Sequence, residues 1–537
     1  MVLSCTNKKN NEVPVPQNKP KLVVGIVVDQ MRYDYLTRFK SKFGTGGFKR
    51  LLSNGFSLEN AHFNYIPTYT AVGHTSVFTG TTPDNHGIIG NHWYDKYAKK
   101  MIYCVDDSNY KTVGNDGEGG KKSPYRMVTT TVTDQLRLAQ NMQGKTIGIG
   151  IKDRSAILPA GHTANAAYWF DGGAKGQWIS SSFYMKELPK WVTEFNTSGK
   201  VESYLQEPWT TLYDIETYTE SIADDNEFEQ PFKGEERPIF PHDIPTLRSK
   251  NNNYSIIKAL PAGNSLTSDF AIASIEGENL GQTSFTDFLT VSFSSTDYVG
   301  HQFGVDSKEI EDTYLRLDKD LERILNYLDT KVGENNYTVF LTADHAAVQV
   351  PSYLKSVNIP ADYFSSTQFE TYVNDITKKH FKSDRLVENI SNFQIFLNKT
   401  TIEKKNLTIN EVADIIADNV INYKGIYKSI TAKTIQKSAY TSGILNSLQN
   451  GYNQKFSGDI LLVPNPSTIS YPKKGSTHGS GYSYDTHIPI IFYGNGIKKG
   501  TSTKKYTIID IAPTISNLLE IEFPNGNTGK IIDEVLK

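Results

Sequence analysis

Cysteine is almost absent from this chain, which contains only Cys5 and Cys104 among 537 residues. Two thiols are too few for a disulfide framework or for a cysteine-ligated zinc finger. Any metal ion would therefore have to be bound through histidine and carboxylate side chains.

An excess of charge of one sign and long apolar runs are also missing. The 56 lysines and arginines nearly balance the 58 acidic residues, for a formal net charge of -2, which argues against a nucleic-acid-binding surface. No apolar run approaches the roughly 18 residues of a membrane-spanning helix, so no transmembrane segment is expected. A content of 38% hydrophobic and 21% charged residues is typical of a folded protein, and the length allows one large domain with insertions.

The first twenty residues resemble a tether or the remnant of an export signal. Leu3 stands two positions before Cys5, as at the cleavage site of a bacterial lipoprotein, and polar sequence follows up to residue 20. The charged and apolar parts of a signal peptide are missing upstream, so either the signal was removed or the likeness is chance. We expect a periplasmic or otherwise exported protein with a candidate lipid anchor at Cys5.

Six apolar, β-branched runs predict buried strands, at residues 21–28, 146–151, 288–293, 337–341, 459–463 and 488–492. Helical patterns alternate with them, most clearly an apolar stripe at spacings of four and three from Ile310 to Leu328, behind Asp306 and Ser307. Strands that alternate with helices predict an α/β fold with a mainly parallel central sheet and helices on both faces.

Two stretches interrupt this alternation and predict inserted cap segments. Residues from about 162 to 284 are rich in aromatic and turn residues, and residues from about 350 to 457 are rich in lysine and asparagine, with a helical pattern from Ile409 to Val420. We therefore predict one domain over residues 21–537 that carries both insertions, preceded by the tether.

Acidic side chains follow three of the predicted strands. Asp29 ends the first run, Asp297 lies just beyond the third, and Asp344 lies beyond the fourth with His345 next to it. In an open α/β sheet the functional site lies beyond the carboxyl ends of the strands. An isolated Asp–His pair is more often structural, but three carboxylates collected at one edge repel one another unless cations are bound there. The convergence therefore predicts a cation site.

Three further side chains are candidates for the same site. His301 stands four residues after Asp297, so the two would share one face of a helical turn. His478 lies in a glycine-rich turn that would let a metal ion approach closely. Thr70 precedes a helical pattern, where its hydroxyl could simply cap the helix or, held by a metal ion, act as a nucleophile.

Lys152 and Arg154 follow the second predicted strand on either side of Asp153. In an extended chain residues two apart point the same way, so both cations would enter one pocket. A planar guanidinium and a compact ammonium suit a phosphoryl group with two negative charges, although a solvated strand end explains the pair equally well. Asn91 offers an uncharged amide donor, and on its own it reads as a turn residue.

Six motifs in order resemble the alkaline phosphatase superfamily. They are Val27-Val28-Asp29, Pro67-Thr68-Tyr69-Thr70, residues 79–87 with Gly90-Asn91, Asp297 with His301, Ala343-Asp344-His345, and Thr477-His478. Their order and spacing are most similar to the nucleotide pyrophosphatase/phosphodiesterase branch and to the phosphate-irrepressible alkaline phosphatases of flavobacteria. The likeness runs from about residue 21 to the end of the chain.

The resemblance implies a site with two zinc ions per chain. Asp297, His301 and His478 would hold one ion, and Asp29, Asp344 and His345 the other, with Thr70 between them as a metal-bound nucleophile. Asn91, Lys152 and Arg154 would bind the phosphoryl group, and a phosphothreonine intermediate would be hydrolysed by water. Lys152 would occupy the place where other members hold magnesium, so no magnesium is expected.

The Lys152 and Arg154 pair bears on the substrate. Diesterases of the branch typically lack the pair, whereas the flavobacterial phosphatases are similar to this chain in having it. A monoester dianion carries about one more negative charge than a diester, and two cations in a partly desolvated site favour that extra charge. We therefore expect a monomeric alkaline phosphatase that acts on small phosphate monoesters and releases inorganic phosphate.

Two alternatives remain open at this point. One is a phosphodiesterase or nucleotide pyrophosphatase of the same superfamily, and the other is a non-catalytic lipoprotein that binds metal and phosphate. A sulfatase is disfavoured because no Cys/Ser-x-Pro-x-Arg motif surrounds Thr70.

Overall fold

The computed structural model describes residues 19–537, so Cys5 and most of the expected tether lie outside the described residues. In chain order the strands are β1 (Leu22–Val28), β2 (Phe56–His62), β3 (His92–Asp95), β4 (Lys100–Tyr103), β5 (Thr112–Val113), β6 (Thr146–Gly150), β7 (Ala166–Asp171), β8 (Gln177–Ser181), β9 (Asp287–Phe293), β10 (Tyr337–Thr342), β11 (Asp362–Tyr363), β12 (Val387–Ser391), β13 (Gln394–Leu397), β14 (Ile426–Thr431), β15 (Ile460–Pro464), β16 (Thr468–Ile469), β17 (His487–Gly494) and β18 (Gly500–Thr507).

Helices connect these strands and cover the sheet. The α-helices are α1 (Tyr35–Arg38), α2 (Phe48–Asn54), α3 (Thr70–Thr79), α4 (Pro83–His86), α5 (Val132–Ala139), α6 (Asp153–Ala160), α7 (Lys190–Thr197), α8 (Lys200–Tyr204), α9 (Ile244–Leu247), α10 (Pro261–Gly277), α11 (Ser295–Phe303), α12 (Lys308–Lys331), α13 (Pro351–Ser356), α14 (Ser366–Phe381), α15 (Lys399–Lys404), α16 (Ile409–Val420), α17 (Ala432–Lys437), α18 (Gly443–Asn450), α19 (Ser483–Thr486) and α20 (Ile511–Leu519). Short 3₁₀ segments lie at Ile215–Thr217, Arg248–Lys250, Asn253–Ala259, Ile508–Asp510 and Asp533–Val535.

A ten-stranded sheet forms the centre of the protein, in the order β18-β2-β17-β10-β1-β9-β6-β7-β8-β5. The inner strands β10, β1, β9, β6 and β7 are all parallel to their neighbours within this group. Every residue of β1, β9 and β10 is buried, as expected for strands covered on both faces. The predicted fold class, a mainly parallel sheet flanked by helices, is confirmed.

Two of the predicted strands differ from the expectation. Residues 488–492 lie in β17, which joins the sheet but runs antiparallel to β10 and β2. Residues 459–463 belong instead to β15, in a separate four-stranded antiparallel sheet of order β12-β13-β15-β14. Both faces of β15 are buried, with Ile460 and Leu462 in one apolar cluster and Leu461 and Val463 in another. An apolar run indicates burial on both faces and does not identify the partner strands.

The helical predictions agree with the structure where the apolar period was clearest. The stripe from Ile310 to Leu328 lies in α12, and the Ser307 side chain caps this helix by accepting a hydrogen bond from the Ile310 N–H. The pattern from Ile409 to Val420 is helix α16, which begins with a capping box between Thr408 and Glu411.

A second apolar core lies under the four-stranded sheet and is formed by residues between 364 and 462. The division into one domain with two insertions stays a prediction. Among the helices of residues 19–537, none combines the length and the apolar character that crossing a bilayer requires.

His242 links the irregular stretch before α10 to the start of α12 through buried ion pairs. Its Nδ1 lies 2.8 Å from Glu235 Oε1 and its Nε2 lies 3.2 Å from Glu309 Oε1, and the imidazole is fully buried. Burial lowers the pKa of His242, but the two carboxylates outweigh burial and raise it to about 9. The charged imidazolium is therefore the form that the folded protein favours.

We expect this cluster to make the protein less stable as pH rises from about 6.5 to about 9. A folded-state pKa above the unfolded value stabilises the fold fully below the unfolded pKa, and that contribution is lost as the pH passes the folded pKa. The contribution is roughly 3 kcal/mol. Urea unfolding at pH 6 and pH 10 checks this: His242→Gln should reduce the loss of stability between the two pH values, and His380→Gln on the surface should not. An equal loss in wild type and His242→Gln would contradict the assignment.

Candidate metal centre and active site

The carboxyl ends of three neighbouring parallel strands meet at one edge of the sheet. Asp29 follows β1 directly, Asp344 and His345 follow β10, and Asp297 lies in the first turn of α11 after β9. Because β1 pairs with both β9 and β10, these side chains come together. Ligand atoms of Asp29, Asp344 and His345 lie within 4.8 Å of one another. This is the convergence that the strand ends predict.

A second group of ligand atoms adjoins the first. Atoms of Asp297, His345 and His478 also lie within 4.8 Å of one another, so His345 belongs to both groups. His301 was expected in this second group. Its Nε2 is 3.1 Å from Asp297 Oδ1, the oxygen that His478 Nε2 also approaches at 3.7 Å, and its side chain is 24% exposed.

Backbone carbonyls orient all three histidines. Nδ1 of His301 lies 2.7 Å from Ser476 O, Nδ1 of His345 3.1 Å from Ala346 O, and Nδ1 of His478 2.6 Å from Thr68 O. A carbonyl oxygen can only accept, so each Nδ1 carries a hydrogen, which leaves each Nε2 as the ring nitrogen that can bind a metal ion. This outer-shell arrangement is the one that fixes histidine ligands in metal sites.

Unsatisfied polar atoms test whether these residues fit a metal ion. Among the residues that the structure describes, Asp29 Oδ1, Asp344 Oδ2 and His345 Nε2 are buried and have no hydrogen-bond partner. Leaving such atoms unpaired costs free energy, and one cation bound among them would satisfy all three. Carboxylate and imidazole donors without thiolate suit zinc, and also manganese, cobalt or iron.

The charge balance at this edge is also incomplete. Burial opposes ionisation of Asp29 and Asp297, yet the Lys152 ammonium and the neighbouring histidines hold the pKa of both carboxyls below the usual range. Burial and the Asp29 carboxylate raise the pKa of Asp344 well above its usual value. One ammonium thus compensates two of the three carboxylates, and further positive charge would favour the ionised form of the third.

Thr70 begins helix α3 and is buried beside these groups. The helix packs closely against the end of β10 because residue 73 is glycine: a Cβ there would lie 2.0 Å from Asp344 O. Thr68 O accepts from His478 Nδ1, and Thr70 O accepts from His74 Nδ1, which in turn lies 3.2 Å from Asp344 Oδ2. The loop before α3 and the first turn of that helix therefore contact residues of both groups.

Asn91 is held against the start of the same helix. Its Oδ1 accepts a hydrogen bond of 2.8 Å from the Ala71 N–H, which fixes the amide plane and leaves Nδ2 as a donor. The predicted amide donor is thus next to Thr70, and its carbonyl oxygen satisfies one of the free N–H groups of the first turn.

Lys152 and Arg154 are not related as the extended-chain argument assumed. Lys152 is extended and precedes α6, whereas Arg154 is already in the first turn of that helix. Lys152 Nζ lies 2.5 Å from Asp29 Oδ2 and 2.5 Å from Asp297 Oδ2, so it joins the two ligand groups. Arg154 Nη1 instead donates to Tyr103 Oη at 3.1 Å. Because α6 begins between Lys152 and Arg154, the two cations contact different residues.

Arg154 keeps an unused donor. Its Nε is buried and has no hydrogen-bond partner among residues 19–537. Tyr103 Oη, which accepts from Arg154, also hydrogen bonds to Asp153, and this contact holds the guanidinium in place. A half-buried, fixed guanidinium with a free N–H is suited to an oxyanion.

Three residues that support the ligand groups were not identified from the sequence. Gln30, with a left-handed φ of 63°, donates from its N–H to Asp344 Oδ1 and from Nε2 to Asp297 Oδ1. His74 connects Thr70 to Asp344 and lies 2.9 Å from Ser292 Oγ. The position of Gln30 directly after Asp29 could have identified it as a candidate site residue. The corresponding signal for His74 is weaker, since it is only the position one helical turn after Thr70.

The third such residue is Asp485, which contacts the loops that carry His478 and His345. Its Oδ2 accepts from the N–H and the hydroxyl of Ser480, at 2.8 and 2.6 Å, close to His478. Its backbone carbonyl accepts from Ala346 N, directly after His345. Burial raises the pKa of Asp485 to about 7.

Known proteins resemble this chain over most of its length. The chain matches the type I phosphodiesterase / nucleotide pyrophosphatase family over residues 23–487. A Myroides odoratus protein named calcium-transporting ATPase is 47% identical over 97% of this chain and 95% of its own length, and alkaline phosphatase PhoV of Synechococcus elongatus is 45% identical over 97% and 93%. The crystal structure of alkaline phosphatase PafA, an enzyme of Elizabethkingia meningoseptica, is 44% identical, has a TM-score of 0.94 and covers 97% of this chain and 100% of that one.

Proposed function

Because the chain belongs to the type I phosphodiesterase / nucleotide pyrophosphatase family, we propose that it is a zinc-dependent alkaline phosphatase that hydrolyses phosphate monoesters. The relatives named alkaline phosphatases, at 44 and 45% identity over nearly the whole chain, support a phosphatase. The observation that carries the proposal is the pair of Asp–His groups near the start of α3, in which the buried atoms Asp29 Oδ1, Asp344 Oδ2 and His345 Nε2 have no hydrogen-bond partner among the described residues.

Two zinc ions would be held by Asp29, Asp344, His345, Asp297, His301 and His478. Zinc bound there supplies Lewis acidity, which lowers the pKa of a nearby hydroxyl and stabilises charge on the leaving oxygen. We propose no magnesium, because the Lys152 ammonium already lies between Asp29 and Asp297.

Residues of the chain supply the nucleophile and bind the phosphoryl group. Thr70 Oγ, placed at the start of α3, loses its proton to solvent and attacks phosphorus as the bond to the ester oxygen breaks, and the alcohol leaves with a proton from solvent. Water then attacks the phosphothreonine, which restores the Thr70 hydroxyl and releases inorganic phosphate. Asn91 Nδ2 and the free Arg154 N–H donate to phosphoryl oxygens, while Lys152 adds positive charge.

A diesterase is the second candidate, and the family's description favours it. The buried cations favour the monoester, because Lys152 and Arg154 would face about one more negative charge in a monoester than in a diester. The export, the lipid anchor at Cys5 and the monomeric state stay predictions, since the relevant residues or partners lie outside the described structure.

A side-by-side rate measurement tests the proposal. We expect the zinc-loaded protein to hydrolyse phenyl phosphate at least about 100-fold faster than methyl phenyl phosphate or phenyl sulfate, because the other two esters carry one negative charge less. Elemental analysis of the same preparation should give two zinc atoms per chain. Faster diester hydrolysis would favour the second candidate, and zinc binding without turnover of any ester would make the protein a metal- and phosphate-binding protein.

Asp485 should position His478 without touching the substrate. Asp485→Ala removes the oxygen that accepts from Ser480, and we expect zinc affinity to fall by roughly 10- to 100-fold. Competition with a chromogenic chelator measures the affinity, and Asp362→Ala, which removes a carboxylate paired with Lys355 on the cap, serves as the control. Unchanged zinc affinity in Asp485→Ala would remove this role.

A further inference from the structure

The hairpin of β3 and β4 connects the two side chains that are proposed to donate to the phosphoryl group. Asn91 directly precedes β3, and its backbone carbonyl accepts a hydrogen bond of 3.0 Å from the N–H of Cys104, directly after β4. His92 and Tyr103 stand opposite each other at this open end of the hairpin. The same end therefore carries both Asn91 and Tyr103, the residue that contacts Arg154.

The Tyr103 hydroxyl joins two groups of opposite charge. A guanidinium can only donate, and Arg154 Nη1 lies 3.1 Å from Tyr103 Oη, so the hydroxyl accepts from Arg154. An ionised carboxylate can only accept, so the same hydroxyl donates to Asp153 Oδ1. Both hydrogen bonds have a charged partner and are of the stronger kind. The hydroxyl thus stands between the guanidinium and the carboxylate that precedes it in the chain.

The nitrogen that Tyr103 binds decides what Arg154 can offer to a ligand. A guanidinium presents Nε and Nη2 as one edge with two parallel N–H bonds, and Nη1 lies outside that edge. Tyr103 binds Nη1, and the buried Nε has no hydrogen-bond partner among residues 19–537. The contact with Tyr103 therefore leaves free the edge that matches two oxygens of a phosphoryl group.

Packing on the ring and on the hairpin fixes the position of this hydroxyl. The Tyr103 ring packs against the His92 ring with centroids 4.6 Å apart, and Lys122 Nζ lies 4.8 Å from the centre of the Tyr103 ring. The hairpin also packs against α6, because Trp93 is buried in the same apolar cluster as Ala156. The hydroxyl therefore keeps a fixed place relative to the start of α6.

The four-stranded sheet holds the hairpin from the other side. Asn392 Nδ2, in the turn between β12 and β13, donates to His92 O at 2.7 Å. Tyr94 of β3 packs against Phe396 of β13 with ring centroids 5.3 Å apart. Because the hairpin is held on both sides, we do not expect it to shift and compensate for a change at Tyr103.

We propose that Tyr103 is a positioning residue that holds the Arg154 guanidinium toward the phosphoryl group and away from Asp153. The inference rests on the proposed phosphatase function, in which Arg154 donates to a phosphoryl oxygen. Both charges bind the same hydroxyl, so its removal leaves them facing each other, and their attraction turns the guanidinium out of the pocket. Tyr103 thereby supports the preference for monoesters through Arg154, without contact to the substrate.

Tyr103→Phe tests this role because it removes the hydroxyl and keeps the ring. Zinc-loaded wild type, Tyr103→Phe, Arg154→Ala and the double variant are compared on phenyl phosphate and methyl phenyl phosphate, at equal zinc content. We expect Tyr103→Phe to lower kcat/KM about tenfold for the monoester and less than about threefold for the diester, with no further loss in the Arg154→Ala background. Tyr97→Phe, an exposed tyrosine in the turn of the same hairpin, should change neither rate.

Two variants of His92 test the same contact from the surface of the protein. His92→Ala removes the ring against which Tyr103 packs, and the fold should tolerate it because His92 is exposed. It should lower the monoester kcat/KM about threefold when Arg154 is present, whereas His92→Phe keeps a ring and should keep the wild-type rate. If Tyr103→Phe proves too unstable to assay, a wild-type monoester rate in His92→Ala overturns the proposal.

Binding of inorganic phosphate separates failure of this inference from failure of the proposed function. Calorimetric titration of phosphate into the zinc-loaded protein requires no turnover, and the affinity should fall about tenfold in Tyr103→Phe, with no further loss when Arg154→Ala is present. If the protein hydrolyses no ester but shows this pattern, the role of Tyr103 stands and the phosphatase proposal falls. If Tyr103→Phe binds phosphate and hydrolyses the monoester like wild type, or causes the same loss with and without Arg154, the role of Tyr103 is wrong.

Discussion

Thr70→Ala is expected to abolish phosphate-ester hydrolysis, with a loss of at least about 10⁴-fold in kcat, while zinc binding remains within about threefold of wild type. The hydroxyl is the proposed nucleophile and alanine offers no substitute for it. The backbone contacts that order this loop, from His74 Nδ1 to Thr70 O and from Gly73 N to Tyr69 O, do not involve the side chain, so the site should stay assembled. Steady-state rates and zinc content of one preparation check both parts.

Thr70→Ser is the matched control, because it keeps a hydroxyl at the same place. It should retain a rate far above that of Thr70→Ala. Acid-stable phosphate on residue 70 after rapid quenching with labelled substrate would identify the intermediate directly. Appreciable turnover by Thr70→Ala would remove Thr70 as the nucleophile, whatever the metal content.

Replacing both Lys152 and Arg154 with alanine should reduce monoester hydrolysis about 100-fold more than diester hydrolysis. The two cations are buried or half-buried, and one of them has a free N–H, so each contributes more to a dianion than to a monoanion. Comparison of kcat/KM for phenyl phosphate and methyl phenyl phosphate in wild type and variant measures the effect.

Two checks accompany this comparison. Lys121→Ala, an exposed lysine paired with Glu118, removes a nearby charge outside the site and should change neither rate. Because Lys152 also contacts Asp29 and Asp297, zinc content must be measured in each variant. Equal losses on both esters at equal zinc content would refute the electrostatic origin of monoester preference.

Strand ends were the part of the structure that could be predicted best from the sequence. Buried parallel strands are apolar along their whole length, so the first polar residue after each one is conspicuous, as with Asp29 and Asp344. The geometry of a parallel sheet then brings those residues together without any knowledge of the connecting chain. The ligand pattern also carried the family resemblance, which the match over residues 23–487 confirms.

The supporting residues could not be predicted in this way. Gln30 follows Asp29 directly, but its partner Asp297 is 267 residues away in the chain, and the Asp485 carbonyl accepts from the distant Ala346 N–H. No local period marks such contacts. An apolar run also does not indicate which strand it pairs with. For this reason the sequence pattern predicts β15 in the central sheet, whereas it belongs to the four-stranded sheet. The assumption that the chain stays extended from Lys152 to Arg154 failed because α6 begins at Asp153.

A crystallographic anomalous-scattering measurement at the zinc absorption edge, on protein purified with zinc, tests the central claim most directly. We predict two peaks at the carboxyl ends of β1, β9 and β10, each within about 2.0 to 2.3 Å of Asp and His donor atoms of the two groups and both next to Thr70. Absence of peaks at this edge of the sheet, or zinc bound only elsewhere on the protein, would contradict the account.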